Sequence, residues 1–498
     1  MRSLYKNISS PALNWMKEYF FIRRMNSWPG WIVMALLGIG LAFLSAFVNP
    51  KLPLLAAGSL VGLLYVLACI RYPEFAYYAF IYSILTFTLP ARVAGINLPL
   101  GPLIEGSGYL AALSILAAQY RNRVNSRDFW KTPLSIMMIV ITLYLFLEAF
   151  NPEIGSREGW FNYFRKQILY MIFYYISFLM LDSIEKIRRF IKFWIYAALL
   201  VALWGIKQQW FGFTAYEDAW IHSDPNIASL LFQGGMFRKF SIMPDPASYG
   251  VLVTSSAVLT LVLAVRTPSK KLRNKLLFVT IIFIVSSGYS GTRTCNAMLA
   301  GGILAYGIFT LNEKRTIRVL LTAIFAGLFL FLGPFRNTPV IARASTTFAS
   351  NKDASHILRD VNRHNVQPYV YAHPIGGGLQ TCGEEGLRFY PGHPLAGFPP
   401  DSGYTKTMVE QGWIGLALNL IFFFIVLQTG IQGFFNARKP EIKTLYMALN
   451  VCFFSVAVGQ YSQLAIAQYP QYLIFLATLV IFYKLKEYDK QPPETAVG

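Results

Sequence analysis

Charge is scarce in this chain. Only 14% of its 498 residues are Asp, Glu, Lys or Arg, against about 25% in a soluble domain. Acid is scarcer still, 24 residues against 44 basic ones, which leaves a formal net charge of +20. There are four cysteines, Cys69, Cys295, Cys382 and Cys452. They form no CxxC pair and no Cys/His zinc spacing, so a zinc-built domain is excluded and no metal is expected. Three fall in or at the ends of apolar segments. Cys382 has no cysteine partner in its own loop, so that loop holds no internal disulfide. The strand-then-helix glycine fingerprint of a nucleotide site is missing, and so is any internal repeat. The segments of ~10 alternating residues that mark an outer-membrane barrel are also absent. No cleavable-signal pattern is read in the first thirty residues, which are basic and aromatic.

Long apolar runs are present instead, and they recur. They lie near 31–49, 52–70, 74–91, 103–120, 133–150, 167–181, 190–209, 247–265, 276–291, 295–311, 319–335, 404–427, 444–461 and 470–485. Most approach the ~20 residues that cross a bilayer. The expectation is an all-α polytopic membrane protein of about 12–14 transmembrane helices with one large, partly helical loop. Residues 1–30 form a basic lead suited to an anionic membrane surface. Helices fill 31–335, interrupted by a long loop at 210–247. Residues 336–403 are the large loop, 404–485 the last helices, and 486–498 a polar tail.

Strong positive charge raises the question of nucleic acid, but the lysines and arginines sit in short loops between apolar runs. With the N-terminus inside, every dense basic cluster falls inside too, from Arg121–Lys131 to Lys484–Lys490, as the positive-inside rule requires. The loop 336–403 then lies outside, with all five histidines. In a bacterial inner membrane that face is the periplasm.

Against that trend, a few cations sit on the outer side. Arg238 lies in GMFRKFSIMPDPASYGVL before a span, and Arg293 in the hairpin SGYSGTRTCNAML. Arg359 and Arg363 lie in HILRDVNRHNVQPYVYAHPIGGG. An arginine at a membrane edge is costly unless it is paired or functional, and its fork of donors matches phosphate oxygens. The alternative for each is a snorkelling or salt-bridged side chain. His373 precedes the glycine run Gly376–Gly378, which permits close backbone approach. Asp401 opens DSGYTKTMVEQGWIGL at the outer start of a span, as a helix cap or as a base toward an acceptor hydroxyl. Glu410, two turns on, requires a polar cavity or a partner.

These segments resemble, in order, those of the O-antigen ligase/polymerase superfamily of bacterial membrane glycosyltransferases. FRKFSIMPDPASYG resembles its arginine-led segment before a mid-chain span, and SGYSGTRTCNAML its small-residue arginine hairpin. HPIGGG and DSGYTKTMVEQGWIGL resemble the pair that brackets its large periplasmic loop. The likeness covers about residues 190–430 in pattern. It implies an undecaprenyl-diphosphate-linked glycan as donor and metal-independent transfer with inversion. It implies no cofactor, and outer-face arginines on the diphosphate: Arg238 and Arg293 by position, with Arg359 and Arg363 as further candidates. The acceptor would be lipid A core, a growing glycan or a protein. The family usually has His-Asn or His-Ser where this chain has Asp401-Ser402, so Asp401, His393 and His373 all stand as candidates for the base. A polysaccharide polymerase of the same superfamily is an alternative. So is a flippase of lipid-linked glycans, which would bury charges within spans and repeat its halves.

Overall fold

The computed structural model describes residues 27–29, 31–32, 35–36, 40, 51–94, 100–119, 126–233, 235–334, 336–345, 354–467 and 469–490. The basic lead, nearly all of the 31–49 run and the tail after Lys490 lie outside them. The chain divides between Tyr72 and Pro73 into two compact units. The described part of the first is chiefly an apolar helix, α1 (Lys51–Arg71).

The second unit is almost wholly helical. Its first half comprises α2 (Pro73–Thr86), α3 (Thr88–Ala94), α4 (Leu100–Gln119), α5 (Arg127–Trp130), α6 (Pro133–Leu147), α7 (Glu158–Met180) and α8 (Ile184–Trp210). Two short helices, α9 (Ala215–Ile221) and α10 (Pro225–Leu231), and a two-residue hairpin, β1 (Phe232–Gln233) with β2 (Met236–Phe237), fill the 210–247 loop. Then come α11 (Pro246–Arg266), α12 (Lys270–Tyr289), α13 (Arg293–Thr310) and α14 (Lys314–Leu332). The large loop holds α15 (Pro339–Ser345), α16 (Ala354–Ala372) and α17 (Gly383–Phe389). The chain closes with α18 (Gly403–Asn436), α19 (Pro440–Gly459) and α20 (Gln471–Lys490). Among the described residues, eight helices are long and apolar enough to cross a membrane: α4, α6 with its 3-10 extension to Phe150, α8, α11, α12, α14, α18 and α19.

One expected span is split. The run at 74–91 breaks into α2 and α3, because Pro90 lacks the N–H that would bond the Thr86 carbonyl and its ring clashes there. The last helix also runs further than expected, to Lys490. Its Asp489 carboxylate accepts the backbone N–H groups of Arg438 and Lys439, at 2.9–3.0 Å.

The basic loops meet at one end of the helices. Arg188 pairs with Glu441, Arg189 with Glu74, and Arg266 with Glu313. Phe129 stacks on Phe178 and meets Tyr483 edge-on at the same end.

The core sits around α11. Asp245 caps it, accepting the N–H groups of Ala247 and Ser248 at 2.7 and 2.9 Å, and Pro246 supplies the preset first turn. Small and hydroxyl side chains let its neighbours approach closely, as lipid-embedded helices require. Ser256 accepts from Trp194 of α8, Tyr249 bonds Ser286 of α12, and Thr280 of α12 donates to Thr260.

The element that departs from a simple bundle is α18. Gly412 has φ 64° and ψ −164°, so the helix breaks into a short limb, Gly403–Gln411, and a long one from Trp413. The limbs fold back on each other. The Tyr404 and Phe423 rings lie 6.1 Å apart, although nineteen residues of continuous helix would separate them by about 28 Å. The break frees backbone groups, and the glycine run satisfies them. Gly377 N donates to Val409 O at 2.8 Å and Gly378 N to Glu410 O at 2.9 Å, while Trp413 N donates to Pro374 O at 2.9 Å. A Cβ at Gly376 (φ 81°) would lie 2.5 Å from Gly412 N, and one at Gly412 would lie 2.1 Å from Pro374 O.

Either glycine replaced by alanine should therefore cost about 2 kcal/mol or more, from left-handed strain and from the clash. Thermal unfolding of the purified protein in detergent should show a clear fall in Tm for Gly376→Ala and Gly412→Ala. Gly392→Ala, which meets no atom within 4 Å, should leave it unchanged.

Candidate functional site

The 210–247 loop is held stiffly, and its stiffness aims Arg238. Glu217 is buried in it and accepts from Trp204 Nε1, Gln208 Nε2 and Thr214 N at 2.7–2.8 Å. These bonds hold its carboxyl below the usual range despite burial, the largest single influence, which pushes it up. Gln208 Oε1 takes the Ser241 N–H at 2.7 Å. Arg92 of α3 donates to Met243 O and Pro244 O and lies 3.8 Å over the Trp220 ring.

From this frame Arg238 reaches the hairpin between α12 and α13. Its Nε donates to Ser290 O at 3.1 Å and its Nη2 to Thr292 Oγ1 at 2.8 Å. Arg343 of α15 reaches the same hairpin from the large loop. Its Nε donates to Gly291 O and its Nη2 to Gln233 Oε1, both at 2.7 Å. Burial, then the charge of Arg343, pushes the Arg238 pKa down to about 10; Asp245 opposes this and Arg359 adds to it. Arg238 still carries its proton at neutral pH. Arg343 and Arg359 thus both act on Arg238, at the end of the helices away from the basic loops. Arg343 is the member that sequence reasoning missed. It was one arginine of several in the loop, with no motif around it, and only the folded contact with Gly291 distinguishes it.

Asp401 joins this group through Arg359, whose Nε lies 3.6 Å from Asp401 Oδ2. Asp401 is not the cap. Ser402 is the N-cap residue of α18, accepting from Thr405 N and donating to Gln460 O at 3.2 Å. Nor does Asp401 open a crossing limb, since it stands at the foot of the folded-back limb. It lies beside an arginine rather than across the site from the arginines. Arg293 opens α13 directly after the clamped hairpin and is half-buried. Arg363 is occupied elsewhere: it lies 4.7 Å over the Tyr461 ring and donates to that hydroxyl at 3.0 Å, tying α16 to the turn after α19.

The two histidines lie apart from Asp401. His373 stacks on Tyr369, with ring centroids 4.0 Å apart, and its Nε2 faces Glu153 at 3.6 Å. His393 Nδ1 accepts from Leu395 N at 3.1 Å, so Nε2 carries the proton, 3.5 Å from the Tyr369 hydroxyl. Burial holds the His393 pKa below its usual value, with Glu153 opposing, and pushes the Tyr369 hydroxyl up to about 12. Arg359 lies in α16 and His373 directly follows its last residue, fourteen residues on, about 21 Å along the helix axis. One reacting bond cannot touch both. The chain therefore has an arginine site with Asp401, and a separate histidine cluster near the break in α18.

Glu410 has the polar surroundings expected of it. It is buried, accepts the Cys382 thiol at 3.0 Å and lies 3.9 Å from Lys406 Nζ. Among the described residues no group of three or more His, Cys, Asp or Glu side chains is arranged to hold a metal ion.

No family model and no curated protein matches the chain.

Proposed function

We propose that this protein transfers a glycan from a polyprenyl diphosphate to an acceptor hydroxyl at the periplasmic face of a bacterial inner membrane. The observation that carries the reading is the gathering of Arg238, Arg343 and Arg359 at one end of membrane-crossing helices, with Asp401 on Arg359. Gathered guanidinium groups repel one another, and an anion relieves the repulsion. A diphosphate carried on a membrane-embedded lipid presents its charge at this depth.

In the reaction, the acceptor oxygen attacks the anomeric carbon and the bond from that carbon to the diphosphate oxygen breaks. The acceptor proton passes to Asp401. The polyprenyl diphosphate leaves with the bonding pair, and Arg238 and Arg343 meet the charge it gains. Direct displacement inverts the sugar. Ligase and polymerase differ only in the acceptor, so the arginine site serves both.

A second reading is movement of the lipid-linked glycan across the membrane without transfer. The broken α18 and the buried charges Glu105, Glu148 and Glu410 support it, because transporters use broken helices in this way.

Purified protein reconstituted with an undecaprenyl-diphosphate-linked glycan and an acceptor separates these readings. Transfer predicts a new glycosidic product, whereas flipping alone predicts none. Arg238→Lys and Arg343→Ala should each lower kcat about 100-fold. Asp401→Asn should lower it ~100-fold to 10,000-fold at unchanged protein level. In the same assay His373→Ala and His393→Ala should stay within about threefold of the parent, because a general base must lie within hydrogen-bond reach of its proton. Loss of turnover in the histidine variants, with Asp401→Asn active, would move the reaction centre to the histidine cluster.

A further inference from the structure

The arginines and Asp401 leave one part of the donor unplaced, the sugar ring between them. In an in-line displacement the anomeric carbon lies between the group that leaves and the group that attacks. The first sugar of the donor therefore rests between the arginines that meet the diphosphate and the carboxylate that meets the acceptor.

The turn after α19 stands in that interval, tied to both sides. On one side Ser462 Oγ shares a hydrogen bond with Thr294 Oγ1 at 2.7 Å. Thr294 is in the first turn of α13, just past Thr292, which holds Arg238. On the other side Gln460 O accepts from Ser402 Oγ at 3.2 Å and from Gly403 N at 2.9 Å, directly after Asp401. Tyr461 is the residue between these two ties.

The ring of Tyr461 is placed as well as its backbone. Arg359 and Arg363 are spaced i, i+4 and so are neighbours on one face of α16. Arg359 lies 3.6 Å from Asp401, while Arg363 lies 4.7 Å over the Tyr461 ring and donates to its hydroxyl at 3.0 Å. The ring thus stands one helical turn from the pair that Arg359 makes with Asp401. Arg363 covers one face, yet Tyr461 is 61% exposed, which leaves the other face open. An exposed tyrosine is common by itself. This one is clamped by an arginine and set between a diphosphate site and a base.

We infer that the open face of Tyr461 is the platform for the first sugar of the lipid-linked donor, with a C–H face of the pyranose against the aromatic ring. An aromatic face covers the apolar side of a sugar and leaves its hydroxyl groups free for water. It also sorts sugars by shape, because a hydroxyl standing out from the stacked face holds the ring away. Tyr461 is then a binding and specificity residue and takes no part in moving the proton. The inference deepens the transfer reading and rests on its diphosphate site.

The test compares two kinds of ligand on full-length protein in lipid nanodiscs: farnesyl diphosphate, and the same lipid diphosphate carrying one glucose, galactose or N-acetylglucosamine. At least one sugar-bearing ligand should bind the parent about tenfold more tightly than farnesyl diphosphate. Tyr461→Leu should remove that gain and leave farnesyl diphosphate binding within about twofold of the parent. Tyr461→Phe and Tyr461→Trp, which return a ring, should recover most of the loss. Arg238→Ala should weaken both kinds of ligand. The ring is exposed, so an unchanged Tm should show that Tyr461→Leu is folded. In the transfer assay Tyr461→Leu should raise KM for the donor about tenfold and leave kcat within about threefold. No gain from any of the sugars in the parent, a Tyr461→Leu protein that keeps the gain, or one that loses farnesyl diphosphate equally would each overturn the platform. A gain that depends on Tyr461 with no glycosidic product would sink the transfer reading and leave the platform standing. Product formed with the same donor KM by parent and Tyr461→Leu would do the reverse.

Discussion

A backbone group away from water must find a partner, and this structure depends on how that demand is met at Gly412. A helix that breaks in apolar surroundings strands carbonyl and amide groups, each at a cost of kilocalories. Here the strand of chain around Gly376–Gly378 supplies them. The stitch fixes the fold-back of α18, and the fold-back sets the levels of everything else. Asp401 stands at the foot of the short limb, Lys406 and Glu410 lie along it, and the histidine cluster lies by its top.

The arginine site follows a different constraint. Guanidinium groups brought together need rigid support, because otherwise they would move apart. Arg238 is aimed by a loop braced on Glu217, Gln208 and Arg92, and Arg343 grips the same hairpin from the other side. Arg238 anchors on a carbonyl and a hydroxyl oxygen of the protein. Such neutral partners orient a guanidinium without cancelling its charge, which suits a group that must meet an incoming anion.

Much of this was legible in the sequence. Apolar run length located the helices, and the placement of lysine and arginine in short loops foretold that the basic loops share one end. Arg238 was visible as a cation out of place. The glycine run was legible as a site of close approach, and Glu410 as a charge requiring partners. The rest depended on distances that no local pattern contains. Asp401 read as a cap because it precedes an apolar run, but Ser402, one residue later, has the capping geometry. His373 and Asp401 read as neighbours in function, whereas the polar helix α16, with Pro368 inside it, spaces them apart. Arg343 had no local signal at all, since its meaning comes from Gly291, fifty-two residues earlier.

The stitch at Gly412 uses main-chain atoms only. Hydrogen bonds from Gly377, Gly378 and Trp413 do not depend on which side chains lie between Leu379 and Pro400, and the far end of that segment is fastened by Gly403 N on Gln460 O at 2.9 Å. A stretch clamped at both ends through its backbone is an exchangeable cassette. It needs to keep its inward residues, among them Leu379, Thr381, Cys382, Tyr390 and Leu395, of which Cys382 and Leu395 pack with Val366, Val370 and Val409. Its outward face is then free to drift in sequence while the membrane helices stay as they are, so one scaffold can be refitted for different partners without being refolded.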